Sequence, residues 1–235
     1  MSPQPEIPLL FAEMHGIFAG LYDPDAPWKL LGDALDEVLA ALPSSDLQTG
    51  LSPDVHLAGD RIVIGRGTRI HPSVVIEGPV FIGRDVEIRP GAYIRAGCWI
   101  GDRCVVGANT EIKRAILLPH AKAPHLNYVG DSILGAGVNL GAGTVLSNFR
   151  HDGDTIRIPG TPANPEGGPR LDTGRRKLGA ILGDGVLTGC NCVLHPGSLV
   201  GRGTQIYPGV QLRSGMYPAG SIVKLKQDLE IVPQA

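Results

Sequence analysis

The chain has 235 residues, with 33 glycines, 20 prolines and a 43% hydrophobic fraction, enough for one large domain or a domain with an appendage, and a composition that argues against disorder. Its formal charge of −2 gives no electrostatic case for nucleic acid or an anionic membrane surface, and no apolar run reaches the length of a membrane span. The N-terminus, MSPQPEIPLL, lacks the basic segment and apolar core of a leader, so a cytoplasmic chain is expected, with Cys98, Cys104, Cys190 and Cys192 reduced.

Residues 1–50 read as a helical N-terminal cap. In FAEMHGIFAGLYDPDAPWKLLGDALDEVLAAL the residues Trp28, Leu31, Leu35, Val38, Leu39 and Leu42 form one apolar stripe. Asp25 stands at an N-cap position, Pro27 suits the first turn, and Pro43 ends the helix. The expectation is a cap over the open end of the element that follows.

Residues 51–225 carry a period of six. Stepping from Ile64 gives Ile70, Ile76, Ile82, Ile88, Ile94, Ile100, Val106, Ile112 and Leu118, a spacing no α-helix produces. Four residues after each stands a small or aliphatic residue (Thr68, Val74, Val80, Val86, Ala92, Cys98, Cys104, Thr110, Ile116), and glycine often follows the aliphatic. This is the hexapeptide signature of an all-β solenoid, a parallel β-helix with three strands per coil and residues eighteen apart stacked. The repeat resumes in a shifted phase at Tyr128, Leu134, Leu140 and Leu146, and again at Leu182, Thr188, Leu194, Val200, Ile206 and Leu212. The breaks are a short one at LPHAKAP and a long inserted loop at about 149–180. Proline and glycine in that loop, RHDGDTIRIPGTPANPEGGPRLDTGRRK, argue against a packed element and for an arch beside a cleft. Cys98, Cys104 and Cys192 take inward positions and Cys190 a turn, and two cysteines alone make no metal site. Residues 226–235 read as a C-terminal tail.

The repeat together with PHLNYVGDSILGAGVNLGAGTVLSNF (124–149) and TGRRKLGA (173–180) resembles the left-handed β-helical acetyltransferase domain of bifunctional N-acetylglucosamine-1-phosphate uridyltransferases, above all the archaeal sugar-1-phosphate nucleotidylyltransferase/acetyltransferase type. The resemblance covers roughly residues 60–225. It implies a left-handed coil, a homotrimer, acetyl-CoA as co-substrate and an amino-sugar 1-phosphate such as glucosamine 1-phosphate as acceptor, with no nucleic-acid or membrane partner. About sixty residues precede the repeat, without a glycine-rich nucleotide loop, so pyrophosphorylase activity is expected to be absent.

By the same resemblance His125 is the general base that takes a proton from the sugar amine, a role suited to an imidazole. Lys113 is the phosphate-side lysine, Tyr128 and Asn139 contact the sugar, and Asn148 lies near the thioester. Ala142, Cys190 and Pro208 touch the acetyl or pantetheine part, and N–H groups around Gly141–Gly143 are candidates for the oxyanion. The family arginine lies eighteen positions before the lysine, at Arg95, although its local Arg-Pro-Gly-Ala motif is at Arg89; stacking register selects Arg95. A further family lysine beyond Asn148 is not reproduced, because Asp154 or Arg157 stands there. Arg175, Arg176 and Lys177 are candidates to meet a phosphate or to form a solvated turn. Two other classes remain: a non-catalytic sugar-phosphate or nucleotide-sugar binding or scaffolding solenoid, and a γ-class carbonic anhydrase-like metal enzyme. The latter rests on the five-residue spacing of His120 and His125, but Arg84 stands where its third histidine belongs.

Overall fold

The computed structural model describes residues 6–12, 14, 16–159, 169–228 and 230–232. Its body is a parallel β-helix with three faces. Face A holds nine strands in chain order, from Ser45–Leu47 to Gly215–Tyr217. Face B holds eight, from His56–Ala58 to Gln211–Leu212. Face C runs in two blocks, Arg69–Ile70 to Lys122–His125 and Leu187–Thr188 to Ile222–Val223, joined by bridges from Asn139 to Lys122 and to Leu187. The chain visits the faces in the order A, C, B.

Period-two alternation within each short strand turns alternate side chains, mostly aliphatic, inward, and one per strand recurs at the repeat position. On face A these are Ile64, Ile82, Ile100, Leu117, Leu134, Leu182, Val200 and Tyr217; on face C, Ile70, Ile88, Val106, Ala123, Leu140, Thr188, Ile206 and Val223. On face B they are Leu57, Ile76, Ile94, Ile112, Val129, Leu146, Leu194 and Leu212. From Ile64 onward every step from A to C and from C to B is six residues, and the irregularity falls on the turn from B to A. Ile112 to Leu117, Val129 to Leu134 and Leu212 to Tyr217 are short steps, while the insertion separates Leu146 from Leu182.

The first break therefore lies at Arg114–Ala115 and not at LPHAKAP. Leu117, not Leu118, and Val129, not Tyr128, point inward. Period-six counting misses this shift because the Leu117–Leu118 pair satisfies both phases. Ile116 and Leu118 instead join an apolar cluster outside the coil.

That outer cluster shows where the N-terminal segment belongs. The segment forms 3-10 turns at Gly16–Phe18 and Pro27–Leu31 and an α-helix at Asp33–Ala40. Pro27 opens its turn as expected, but Asp25 caps nothing: its own N–H donates to Asp23 Oδ1 at 3.0 Å. Leu10, Phe18, Leu30, Leu31, Leu35 and Leu39 pack against Trp99, Ile116, Ile133, Ile181, Leu199 and Met216 on the outside of face A. Trp99 stacks on Phe81 (ring centroids 3.8 Å apart) and meets Phe18 edge-on at 5.3 Å. The segment thus flanks face A and does not cover an open end. The reason is chemical: the outward positions of face A are apolar, whereas faces B and C present residues such as Glu111, Gln211, Glu87 and Lys122.

The insertion also packs. Arg157–Pro159 pairs antiparallel with Arg170–Asp172, and Ile156 and Ile158 are buried in the outer cluster. The proline-rich composition concealed a short hairpin whose alternate isoleucines have an apolar surface to cover.

Candidate functional site

The irregular B-to-A edge carries a cationic hollow. Strand register pairs Tyr93 with Glu111 and Ile94 with Ile112, which stacks Arg95 on Lys113; Lys113 in turn faces Gly130. Arg95, Lys113, Tyr128, Asn148, Phe149 and Lys177 line a hollow of about 440 Å³. At its base Asp131 is only 2% exposed. Its Oδ2 accepts hydrogen bonds from Lys113 Nζ at 3.2 Å and Asn148 Nδ2 at 2.6 Å, so the buried carboxylate is paired and oriented. Arg95 donates to Glu111 Oε1 at 3.1 Å, which strengthens its hold on the proton. Burial, then the negative charges of Glu111 and Asp131, push the Tyr128 phenol above its ordinary value, keeping it a neutral donor at physiological pH.

Gly130 permits this arrangement. A Cβ there would lie 2.6 Å from Tyr128 Oη and 2.7 Å from Asn148 Nδ2, so a side chain would push apart the ring and amide that close over the strand.

The missing lysine has a structural counterpart. Neither Asp154 nor Arg157 lines the hollow; Arg157 belongs to the hairpin, 3.5 Å from Asp172. The insertion leaves after Asn148 and returns at the same corner. Phe149 bridges Lys177, the Leu178 N–H donates to Asn148 O at 3.0 Å, and the Gly179 N–H donates to Asp131 O at 2.8 Å. Lys177 therefore enters the hollow from the return leg. Its neighbours do not. Arg175, its pKa lowered by burial, donates to Leu31 O and Lys177 O, while Arg176 donates to Gly153 O at 2.8 Å.

The regular C-to-B edge carries a second group. Ala108 pairs with His125, the Gly143 N–H donates to His125 O, the Asn191 N–H to Ala142 O, and the Gly209 N–H to Cys190 O. His125, Ala142, Cys190 and Pro208 thus stand on successive coils of one edge. His125 is exposed, and its N–H donates to Asn127 Oδ1 at 3.1 Å, while the buried Asn127 amide donates to Gly141 O at 2.8 Å. Gly107 admits the main chain of Pro124 where a Cβ would collide with it. Of the three N–H groups around Gly141–Gly143, that of Gly141 donates to Thr188 Oγ1 and that of Gly143 to His125 O. The Ala142 N–H makes no hydrogen bond among the described residues.

The two groups flank face B, whose strands of two or three residues set the edges roughly 10 Å apart at about 3.3 Å per residue. Arg89 sits on the His125 side, beside Glu87 at 3.3 Å, and not with Lys113. Asn139 is outside both groups, bridged to Lys122 and Leu187 at the far side of face C. His120 lies before the strand that ends at His125 and contacts Arg103. Among the described residues no three His, Cys, Asp or Glu side chains come together as a metal set. Cys98 and Cys104 are buried in the coil, their thiols pushed up to about 12 by burial.

Sequence reasoning missed Phe149 in the hollow and the acids Asp131 and Glu111 that hold its cations, and left Lys177 open between a phosphate contact and a solvated turn. Asp131 had a signal: it is the only acid between Pro124 and Phe149.

Residues 76–191 match the family described as GMPPB C-terminal domain. The chain is 36% identical over 158 residues to the bifunctional sugar-1-phosphate nucleotidylyltransferase/acetyltransferase of Sulfurisphaera tokodaii, covering 60% of this chain and 38% of that protein. It is 32% identical over 226 residues to the bifunctional protein GlmU of Methanococcus maripaludis, covering 92% and 52%. The chain thus spans about half or less of the length of these relatives. Among solved structures, an Arabidopsis UDP-N-acetylglucosamine acyltransferase aligns over 73% of this chain and 67% of its own, at 13% identity and a TM-score of 0.41. The chain is a hexapeptide-repeat parallel β-helix, similar over its coils to GlmU-type bifunctional proteins.

Proposed function

We propose that the protein transfers an acyl group, acetyl in the first instance, from acyl-CoA to the amine of an amino-sugar 1-phosphate. The observation that carries this reading is the cationic hollow of Arg95, Lys113 and Lys177, one face away from an exposed histidine on a column of small residues. The cations take the sugar phosphate through charge-assisted contacts. Tyr128 and Asn148 meet the sugar and the thioester end, and Asp131 fixes Lys113 and Asn148 in place. His125 takes a proton from the substrate ammonium, freeing the nitrogen lone pair to attack the thioester carbon. The unpaired N–H of Ala142 stabilises the oxyanion that forms. Collapse of that intermediate breaks the carbon–sulfur bond; the thiolate recovers the proton from His125, and the second proton of the nitrogen passes to solvent as the amide forms. The pantetheine arm follows the edge past Ala142, Cys190 and Pro208.

Asn139, at the far side of face C, meets the sugar only from a neighbouring copy, so the site is completed in a homotrimer closed around a threefold axis. A thiol-release assay with acetyl-CoA across a panel of amino-sugar 1-phosphates tests the reaction. Release with at least one acceptor is expected; no release with any refutes it. Light scattering should give three times the chain mass, and a monomer at micromolar concentration would remove the composite site.

A further inference from the structure

Two of the three cations of the hollow sit beside arginines that the reaction does not use. Arg114 follows Lys113 directly, and Arg175 stands two residues before Lys177. Neither lines the hollow; both reach the N-terminal segment on the flank of face A. Arg114 Nη2 donates to Asp36 Oδ2 at 2.6 Å, on the helix Asp33–Ala40. Arg175 Nη2 donates to Leu31 O at 3.2 Å, where the preceding 3-10 turn ends, and its Nε donates to Lys177 O at 3.2 Å. One guanidinium thus joins the main chain of the N-terminal segment to the main chain of a residue that enters the hollow.

Local chemistry accounts for an arginine at each place. Arg114 stands in the left-handed region, at φ 46°, within the shortened step from Ile112 to Leu117, and Asp131 takes the same conformation, at φ 45°, one coil later. The turn that leaves Lys113 on Asp131 therefore also delivers Arg114 to Asp36. Arg175 is half-buried and forms no ion pair among the described residues. Such a joint keeps a charge partly out of water, where an apolar side chain against face A would not. What a guanidinium adds is a rigid fork whose donors meet two carbonyls at once. Gly32 leaves room for it, since a Cβ there would lie 3.2 Å from Arg175 Nη1. The Arg175 main chain is fixed in turn, its N–H donating to Thr173 Oγ1 and its carbonyl accepting from the Ile156 N–H.

Lys177 needs that support. Lys113 is fixed at its tip by Asp131, whereas Lys177 is exposed and its ammonium makes no hydrogen bond or ion pair among the described residues. Its reach into the hollow is set by its main chain, which the bridge to Phe149 and the contact from Arg175 hold. We propose that Arg175 and Arg114 are positioning residues for the acceptor: through Leu31 and Asp36, the N-terminal segment fixes the backbone from which Lys177 and Lys113 meet the phosphate. The proposal rests on the acyl-transfer reading above, and it gives the N-terminal segment a part in binding without contact with substrate.

A double-mutant cycle on the full chain tests it, read by calorimetry with glucosamine 1-phosphate and with inorganic phosphate. Lys177→Ala should weaken both about tenfold, and Arg175→Ala about threefold or more. R175A/K177A should match K177A within about twofold, because Arg175 acts through Lys177. R175K, which keeps the charge but loses the fork, should resemble R175A, and acyl-CoA affinity should stay within about twofold throughout. D36A and R114A break an exposed pair that contributes little to folding. Each should weaken the sugar phosphate about threefold, and D36A/R114A no further; these variants carry the test if those at Arg175 do not fold. Unchanged affinity in R175A, or losses that multiply in R175A/K177A as two independent defects would, overturn the proposal. So does a parent protein that binds neither probe. If no acceptor supports thiol release yet the cycle holds with inorganic phosphate, the reaction assignment fails and the positioning stands. If thiol is released and K177A weakens the acceptor while R175A does not, the positioning alone is refuted.

Discussion

From Ile64 onward two edges of this β-helix keep a six-residue step, while the third, from face B to face A, takes the shortened steps and the whole insertion. The difference teaches how a repetitive fold accommodates a site. An inward aliphatic displaced by one residue would turn its side chain away from the coil, so the regular edges are held by packing. A corner tolerates changes in length because its side chains face outward. The irregular edge is accordingly where Asp131, Asn148, Phe149 and Lys177 converge, and where the insertion can add a hairpin without disturbing the stack. The regular edge contributes what needs a fixed spacing: His125, Ala142, Cys190 and Pro208 on successive coils.

Substitutions on the two kinds of edge should therefore differ in kind. The largest expected effect is on the regular edge at its exposed rim. His125→Ala should lower kcat by about 10²–10⁴ with little change in acyl-CoA affinity or melting temperature. Steady-state kinetics showing unchanged turnover in a folded variant would remove the assignment.

Beneath that rim, Ile94 is fully buried. Ile94→Ala should cost about 2–5 kcal/mol in urea unfolding, through lost burial and the cavity left behind. A cost below 1 kcal/mol would show that the coil interior is not the rigid partner in the comparison.

On the irregular edge the cost should appear in binding and not in folding. Arg95 is paired to Glu111 at 40% side-chain exposure, so its loss leaves stability nearly unchanged. Arg95→Ala should raise the sugar-phosphate KM about tenfold or more, equivalent to about 1.5–3 kcal/mol for a charge-assisted contact. Arg89→Ala, on the His125 side, should do much less. A larger KM effect at Arg89 would mean that a neighbouring copy, and not the stacking register, decides which arginine meets the phosphate.

The smallest effect per unit of perturbation is the response of the buried thiols to alkali. Burial raises Cys98 and Cys104 from an ordinary 9.0 to about 12. The unfolded chain ionises first, so stability is intact below about pH 9 and declines between about 9 and 12. Each thiol contributes a slope of at most about 1.4 kcal/mol per pH unit. Urea midpoints that stay level between pH 8.5 and 10.5 would contradict it. In the native protein Cys190, exposed on the rim, should react with a thiol reagent first, and CoA should slow it.

Much of this architecture could be read from residue order. The recurrence of Ile64, Ile70, Ile76 and their successors requires a three-faced coil, and an eighteen-residue coil is enough to set Arg95 on Lys113. The same counting went astray at Leu118 and Tyr128, because adjacent aliphatics (Leu117–Leu118) and an aromatic beside a valine (Tyr128–Val129) satisfy either phase. A sequence period reports spacing, and only the closed backbone reports which neighbour faces in.

The sequence by itself determined the repeat, the inward aliphatics of the regular edges and the buried character of Cys98 and Cys104, since each follows from local alternation and from what a closed coil must bury. Tertiary structure decided what depends on long separations. It put the N-terminal turns on the flank of face A, where Trp99, Ile133 and Leu199 needed cover. It carried Lys177 across the insertion to Asn148 and Asp131, and it divided Arg175, Arg176 and Lys177, consecutive in the chain, among three different tasks. No local pattern encodes where a chain returns after an excursion; that is fixed by the hydrogen bonds that Leu178 and Gly179 make to Asn148 and Asp131 once the coils are stacked.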